Sequence, residues 1–420
     1  MIALLTSLVA LAVDCAVVEN ASQIWLPEGP APAPGATLVI DGPTIAAVGV
    51  VAYQADGATA KWNGRTCKRV DAAGGVITAG LIESRSQLGV TEIDLESTTQ
   101  DFDGGGDPIR AALRVGDAYD PRSAVIGIQR VAGVTGAVIH PSGGFIAGRA
   151  AYVSLYGSLQ ADTVVNPVVA MEVGDQSGPS GAADLLALRE LLDDAKAWRA
   201  NQAAWERNQT RPYAASRLDL AALTDVVDGR IPLVVSADRA ADIEALLRFR
   251  SETGVRLVVL GAAEGWRMAA QLAAARVPVI LDPLVMGPGS VDQLAGRPDN
   301  AALLASAGVP VTLSTFSTHN ARNLRQMAGN AVRSGMDRNA ALAAITVRPA
   351  EAFGITDRGR LAVGYRADLV VWSGDPLELS TVARHVWIGG VEIPMTNRQT
   401  ELREKYRTLP GTPVPSLGNP

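Results

Sequence analysis

The feature that most constrains this chain is an alternation, running from about residue 76 to about residue 345, of short apolar β-branched runs with stretches of helical periodicity. Residues 231–235 (IPLVV) form a buried-strand run. Residues 240–252 follow, with Ile243, Leu246 and Leu247 at helical spacing and Gly254 as a stop signal. The pattern repeats as 255–260 (VRLVVL), a helix over 264–275, 277–281 (VPVIL), a helix over 300–307 and 309–313 (VPVTL). Earlier strand candidates are 76–82, 133–139, 151–155 and 167–171. Strands alternating with helices signal βαβ units and a parallel sheet. Eight of them over about 250 residues match the size of a (β/α)8 or TIM barrel, an α/β fold.

Outside this span the pattern is β only. Residues 14–25, 37–41 and 44–51 read as short strands, and 26–36 (LPEGPAPAPGA) as a surface loop rich in proline and glycine. Strands return only at 359–372 and 383–393. The expected organisation is therefore a hydrophobic segment at 1–13 and a small composite β-sandwich from 14–75 and 359–395. A barrel spans 76–358, and a C-terminal helix and tail occupy 396–420. No internal repeat of solenoid period is visible.

Composition narrows the function classes. With 48% hydrophobic and 19% charged residues, the chain can bury a large core. A net charge of -6 without a basic stripe gives no footprint for nucleic acid. No apolar run after the N-terminus approaches the ~20 residues of a membrane span. The opening MIALLTSLVALAV, with Ala10-Leu11-Ala12 as a small-residue cleavage site, reads two ways. A signal segment would place the protein in the periplasm or outside the cell, whereas a buried first strand leaves it cytoplasmic. The two cysteines, Cys15 and Cys67, lack zinc-site spacing. Two buried free thiols are expected, with a disulfide as the alternative in an exported protein.

Four stretches carry a family resemblance. Residues 76–89 (VITAGLIESRSQLG) are similar to the "PGLIDxHxHLG" opening strand of amidohydrolases. Residues 38–49 (LVIDGPTIAAVG) resemble "vlveDGrIaavG", and 231–283 resemble the middle of imidazolonepropionase-like and prolidase-like members. Residues 345–372 (ITVRPAEAFGITDRGRLAVGYRADLVVW) look like the family's C-terminal return, "T-xx-PA-xx-G…G-x-L-xx-G-xx-ADLVV". The resemblance covers almost the whole chain to about residue 395. It implies a hydrolase of amide or other C–N bonds, with one or two divalent metal ions at the C-terminal mouth of the barrel. Nitrogen and oxygen ligands there leave one coordination position open, so bound water ionises near neutral pH.

The residues at the ligand positions do not follow the family. The HxH pair of the first strand falls on Arg85 and Gln87, and the strand-four carboxylate on Glu172. The histidines of strands five and six become Ser236 and Gly261, and the strand-eight aspartate falls on Phe316 or Ser317. Only Glu172 is a good ligand, and Arg85 is a fixed cation that repels a metal. Arg85 is the natural charge partner of Glu172 if both face the mouth. The three histidines, His140, His319 and His385, offer limited compensation. His385 falls in the C-terminal strands. His140 and His319 follow barrel strands, where each either caps a loop or faces the mouth.

Other chemistries find no motif. SGPSG at 177–181 lacks the nucleophile-elbow spacing, and Ser236, Thr315 and Ser317 show no histidine–carboxylate pair beside them. DGGGD (103–107) and PSGGFIAG (141–148) match neither a Walker A loop nor a Rossmann turn and read as barrel loops. The expectation is a metal-free pseudoenzyme with no cofactor. It binds a small-molecule or peptide-like ligand at the mouth and self-associates or pairs with a metal-bearing homologue. The candidate catalytic residues are Glu172, Arg85 and His319; the candidate binding residues are Gln87, Ser236, Arg239, His140 and Phe316. The alternatives are a hydrolase with a rebuilt site and a binding protein for an acidic small molecule.

Overall fold

A computed structural model describes residues 15–27, 35–174, 180–285 and 287–407. The hydrophobic opening segment 1–13, most of the SGPSG stretch and the tail from 408 lie outside the described residues. The chain divides into two compact units, one comprising residues up to Gly80 with Thr356–Ile393, the other Leu81–Ile355 with the segment from Pro394.

The first unit holds two sheets. A six-stranded sheet runs in the order Thr44–Gly49, Thr37–Asp41, Ala16–Glu19, Arg65–Asp71, Thr59–Trp62, Gln54–Asp56. A five-stranded sheet joins Gln23–Ile24 and Val76–Ala79 to Leu369–Trp372, Ala383–Ile388 and Val391–Glu392. Alternate residues of both sheets meet in one buried cluster that includes Val18, Leu38, Ile40, Ile77, Leu369, Val371 and Trp387. Residues 76–79 therefore pair antiparallel with Leu369–Trp372 and do not form the first barrel strand. Gly80 separates them from that strand, which begins one residue later.

Cys15 and Cys67 form a disulfide across adjacent strands of the six-stranded sheet, so the expectation of free thiols is wrong. The parallel register that sets Ala16 opposite Lys68 brings the two cysteines together, a proximity that linear spacing does not reveal.

The second unit is a mixed α/β fold built on an eight-stranded, nearly closed barrel sheet. Its strands are β1 (Leu81–Ser86), β2 (Val134–Ile139), β3 (Ile146–Ser154), β4 (Val164–Val173), β5 (Leu233–Ala237), β6 (Leu257–Gly261), β7 (Val279–Leu281) and β8 (Val311–Leu313), neighbours in sequence order. Strands β4 to β8 pair in parallel, and their near-continuous apolar runs suit strands covered on both faces. The helix Ala240–Thr253 ends at Gly254 in the left-handed region (φ 77°), the stop expected from the sequence.

One strand departs from a purely parallel barrel. β3 is antiparallel to both β2 and β4. The connection from β2 to β3 is only six residues, His140 to Phe145, whereas a parallel crossover needs a dozen or more. Gly143 and Gly144 make that reversal at φ 85° and 66°, so the glycine-rich PSGGF stretch is a hairpin turn.

The β8–β1 seam is closed by side chains. Ser84 Oγ donates to Leu313 O (3.3 Å), and Ser314 Oγ lies 2.5 Å from Glu83 Oε1. Backbone groups of the 344–345 segment bridge the same gap: Leu313 N donates to Ala344 O, and Ile82 N to Ile345 O.

Candidate active site

Parallel strands deliver their C-terminal residues to one end of the barrel, and in barrels of this kind functional side chains gather there. β1 contributes Arg85, the residue after β2 is His140, β4 contributes Glu172, and the turn after β8 carries Phe316, Ser317 and Thr318. Arg85, Ser86, Gln87, His140, Phe316, Ser317 and Thr318 line a cavity of about 140 Å³.

The centre of the site is a charge cluster. Glu172 is 2% exposed; Arg85 Nη1 donates to its Oε1, and His140 Nδ1 lies 2.9 Å from its Oε2. Burial pushes the Glu172 carboxyl up, but the Arg85 guanidinium and the His140 ring, together with their hydrogen bonds, outweigh it and hold the group below the usual carboxylate range. The charge pair expected from the sequence is thus present, with His140 as a third member.

Both ring nitrogens of His140 have close polar neighbours. Its Nε2 sits 3.0 Å from the Ser84 carbonyl oxygen, which can only accept. Its Nδ1 faces an ionised carboxylate, which also only accepts. The ring is 2% exposed and packs edge-on to Phe353, with centroids 5.9 Å apart.

Glu83 is a functional candidate that reading the sequence by strand position passes over. It is fully buried and accepts from Ser314 Oγ (2.5 Å), Thr315 Oγ1 (2.8 Å), Thr315 N (3.2 Å) and Arg85 N (3.2 Å). Burial raises its carboxyl to about 7 against the lowering effect of these donors. The signal was available: Glu83 occupies the acidic position of the opening motif, GLIE against GLID. It belongs to the seam and does not line the cavity.

Three predicted residues lie elsewhere. His319 Nε2 sits 3.0 Å from Glu92 O, and its Nδ1 is 3.0 Å from Asp94 Oδ2 but outside hydrogen-bond angles. It ties the β8 turn to the loop after β1 and does not join the cluster, so its candidate catalytic place is not supported. Ser236 is exposed on β5. Arg239 is exposed and pairs with Asp242 and Asp292, a solvated helix-start network away from the cavity wall. Gln87 and Phe316 line the cavity as expected. Phe316 holds φ 49°, unusual for a bulky residue, and is pinned by its backbone N–H to Ser314 Oγ (3.0 Å).

The donor set does not suit a divalent metal. Among the described residues no group of three or more His, Cys, Asp or Glu side chains is placed to hold one. The carboxylate at the strand-four position is already covered by Arg85 and His140. At the strand-six position, Gly261 adopts φ 91°, and a Cβ there would lie 2.5 Å from Asp238 Oδ1. A side chain there would carry the strain of that φ and would have to move the Asp238 carboxylate.

Residues 259–394 match a family model described as amidohydrolase family. The amidohydrolase tasK of Hapsidospora irregularis is 34% identical over 97 residues, 23% of this chain; the match spans only 10% of that protein's length. Among solved structures, an amidohydrolase from Thermotoga maritima superposes with a TM-score of 0.78 at 22% identity, covering 91% of this chain and 100% of that one. N-isopropylammelide isopropylaminohydrolase from Burkholderia multivorans gives 0.52 at 17% identity, covering 90% and 98% of the two chains. The ochratoxinase of A. niger gives 0.55 at 16%, covering 92% and 98%. These structural likenesses speak to the fold.

Proposed function

We propose that this chain, which belongs to the amidohydrolase superfamily, keeps the superfamily's (β/α)8-type barrel and β-sandwich without the metal chemistry, and acts by binding a small-molecule or peptide-like ligand at the barrel mouth. Self-association, or pairing with a metal-bearing relative, would give such a subunit its role. The observation that carries this reading is the Arg85 guanidinium seated on Glu172, the one good ligand among the expected positions.

A cation entering there would have to displace Arg85 and would still lack partners, since catalytic zinc takes about three protein ligands. The loss matters energetically. A catalytic metal lowers the pKa of bound water by roughly nine units, equivalent to about 12 kcal/mol of nucleophile activation. Arg85, Gln87, Ser236 and Gly261 supply nothing comparable.

A rebuilt hydrolase is the second reading, favoured by Glu83, whose carboxyl near 7 has the value suited to general acid–base work. Against it, four protein donors already occupy that carboxylate and it does not face the cavity. The Cys15–Cys67 disulfide supports export to an oxidising compartment. No helix among the described residues is long and apolar enough to cross a membrane.

The test is a screen of amide and dipeptide substrates with zinc, manganese, iron or no added metal. No turnover above buffer is expected. Metal-dependent turnover that disappears in Glu172→Ala would overturn the proposal.

A further inference from the structure

We propose that the mouth cavity is a binding site for a short-chain monocarboxylate of about six non-hydrogen atoms. The inference rests on the metal-free reading and specifies the ligand class of the same site.

Size sets the first limit. A cavity of about 140 Å³ compares with the 150 Å³ engineered cavity that admits benzene. A drug-sized molecule needs several times that volume.

Charge sets the sign. Arg85 brings a fixed guanidinium to the cavity lining, and no carboxylate is among the lining residues. Glu83, the other nearby carboxyl, is turned into the seam and covered by Ser314 and Thr315.

Unused donors set the geometry. Among the described residues, the Arg85 side chain bonds only through Nη1, to Glu172, which leaves the fork of Nε–H and Nη2–H without a partner. That fork matches the two oxygens of a carboxylate. The Gln87 amide makes no hydrogen bond among the described residues although it lines the cavity. Thr318 is 6% exposed, lines the same cavity, and its hydroxyl is likewise unpartnered among the described residues. A ligand oxygen in the cavity would pair with it. Phe316 supplies an apolar wall for a short alkyl portion.

The experiment is isothermal titration of the full-length protein with acetate, propionate and lactate. Propionamide serves as the neutral control and inorganic phosphate as the competing anion. Metal content is measured on the same sample. Propionate and lactate should bind and propionamide should not. Gln87→Ala and Thr318→Val should each weaken lactate binding about tenfold, as expected for the loss of one hydrogen bond to a charged ligand, with the melting temperature held. Arg85→Lys, which keeps the charge but loses the fork, should weaken it at least as much.

Tight phosphate binding without carboxylate binding would overturn the assignment. So would equal affinity for propionamide and propionate, or full affinity in both Gln87→Ala and Thr318→Val. Metal-free protein that binds no carboxylate overturns this assignment alone. One retained metal ion per chain overturns the metal-free reading and this assignment with it.

Discussion

Replacing Glu172 with alanine tests whether the charge cluster is a buried, mutually dependent unit. The carboxylate accepts from both Arg85 Nη1 and His140 Nδ1, so its removal strands two donors at once. His140 is 2% exposed, whereas the Arg85 side chain is 25% exposed and can be partly rehydrated. Breaking a buried pair by removing one partner costs about 3–5 kcal/mol, and the partial exposure of Arg85 places this case in the lower half of that range. For a unit of this size each kcal/mol corresponds to roughly 2–4 °C, so the barrel transition should fall by about 6–16 °C. The double variant Arg85→Met/Glu172→Ala should lose less than the sum of the singles, with a coupling of about 0.5–3 kcal/mol. Because the Glu172 carboxyl is held low, its contribution is present above its ordinary value of 4.5 and is lost as pH falls through the lowered one. The gap between wild type and variant should therefore persist from pH 8 to 5 and narrow only in acid. Urea and thermal unfolding across this range supply the measurement. A loss below ~1 kcal/mol, with Arg85→Ala equally mild, would refute the account and place the pair in solvent.

Glu83 has the opposite sign. Its folded carboxyl is raised to about 7, so its contribution is fully present below 4.5 and is lost as pH rises through 7. The shift of about 2.5 units corresponds to about 3 kcal/mol. Wild type should lose stability between pH 5 and 8 relative to Glu83→Gln; parallel profiles for the two proteins would contradict this. The Cys15–Cys67 bridge closes a loop of 52 residues, and chain entropy assigns it about 4 kcal/mol. Cys15→Ala/Cys67→Ala should lower the unfolding midpoint of the first unit, and an unchanged midpoint would remove the bridge from the account.

Much of the barrel was legible because a strand buried on both faces leaves an unbroken apolar run, as in LVVSA (β5) and LVVLG (β6). Strand direction was not. The run that contains β3 looks like any other, and only the length of the His140–Phe145 connection forces it antiparallel. The first boundary slipped because the apolar run of Val76–Ala79 continues into Leu81 and Ile82 of β1 and only Gly80 divides them; which sheet each joins depends on partners distant in sequence. Arg85 and Glu172 could be paired in advance because opposite charges at a buried mouth have few alternatives. His140 was left between two roles, since its ring bonds, to Ser84 O and Glu172, come from separate strands. His319 and Arg239 went astray because each is held by a contact that strand position does not show, Glu92 O for one and Asp242 and Asp292 for the other. Glu83 escaped notice because a period-two strand pattern says which face a residue takes but not how much that face is desolvated.

The most direct test of the central claim is the metal content of the purified full-length protein. It would be measured by elemental analysis after dialysis, before and after incubation with excess zinc or manganese. With Arg85 on Glu172 and a glycine at the strand-six position, the account predicts far less than one ion per chain in both samples. One ion per chain that survives dialysis, together with amide hydrolysis abolished by a chelator and restored by metal, would contradict it.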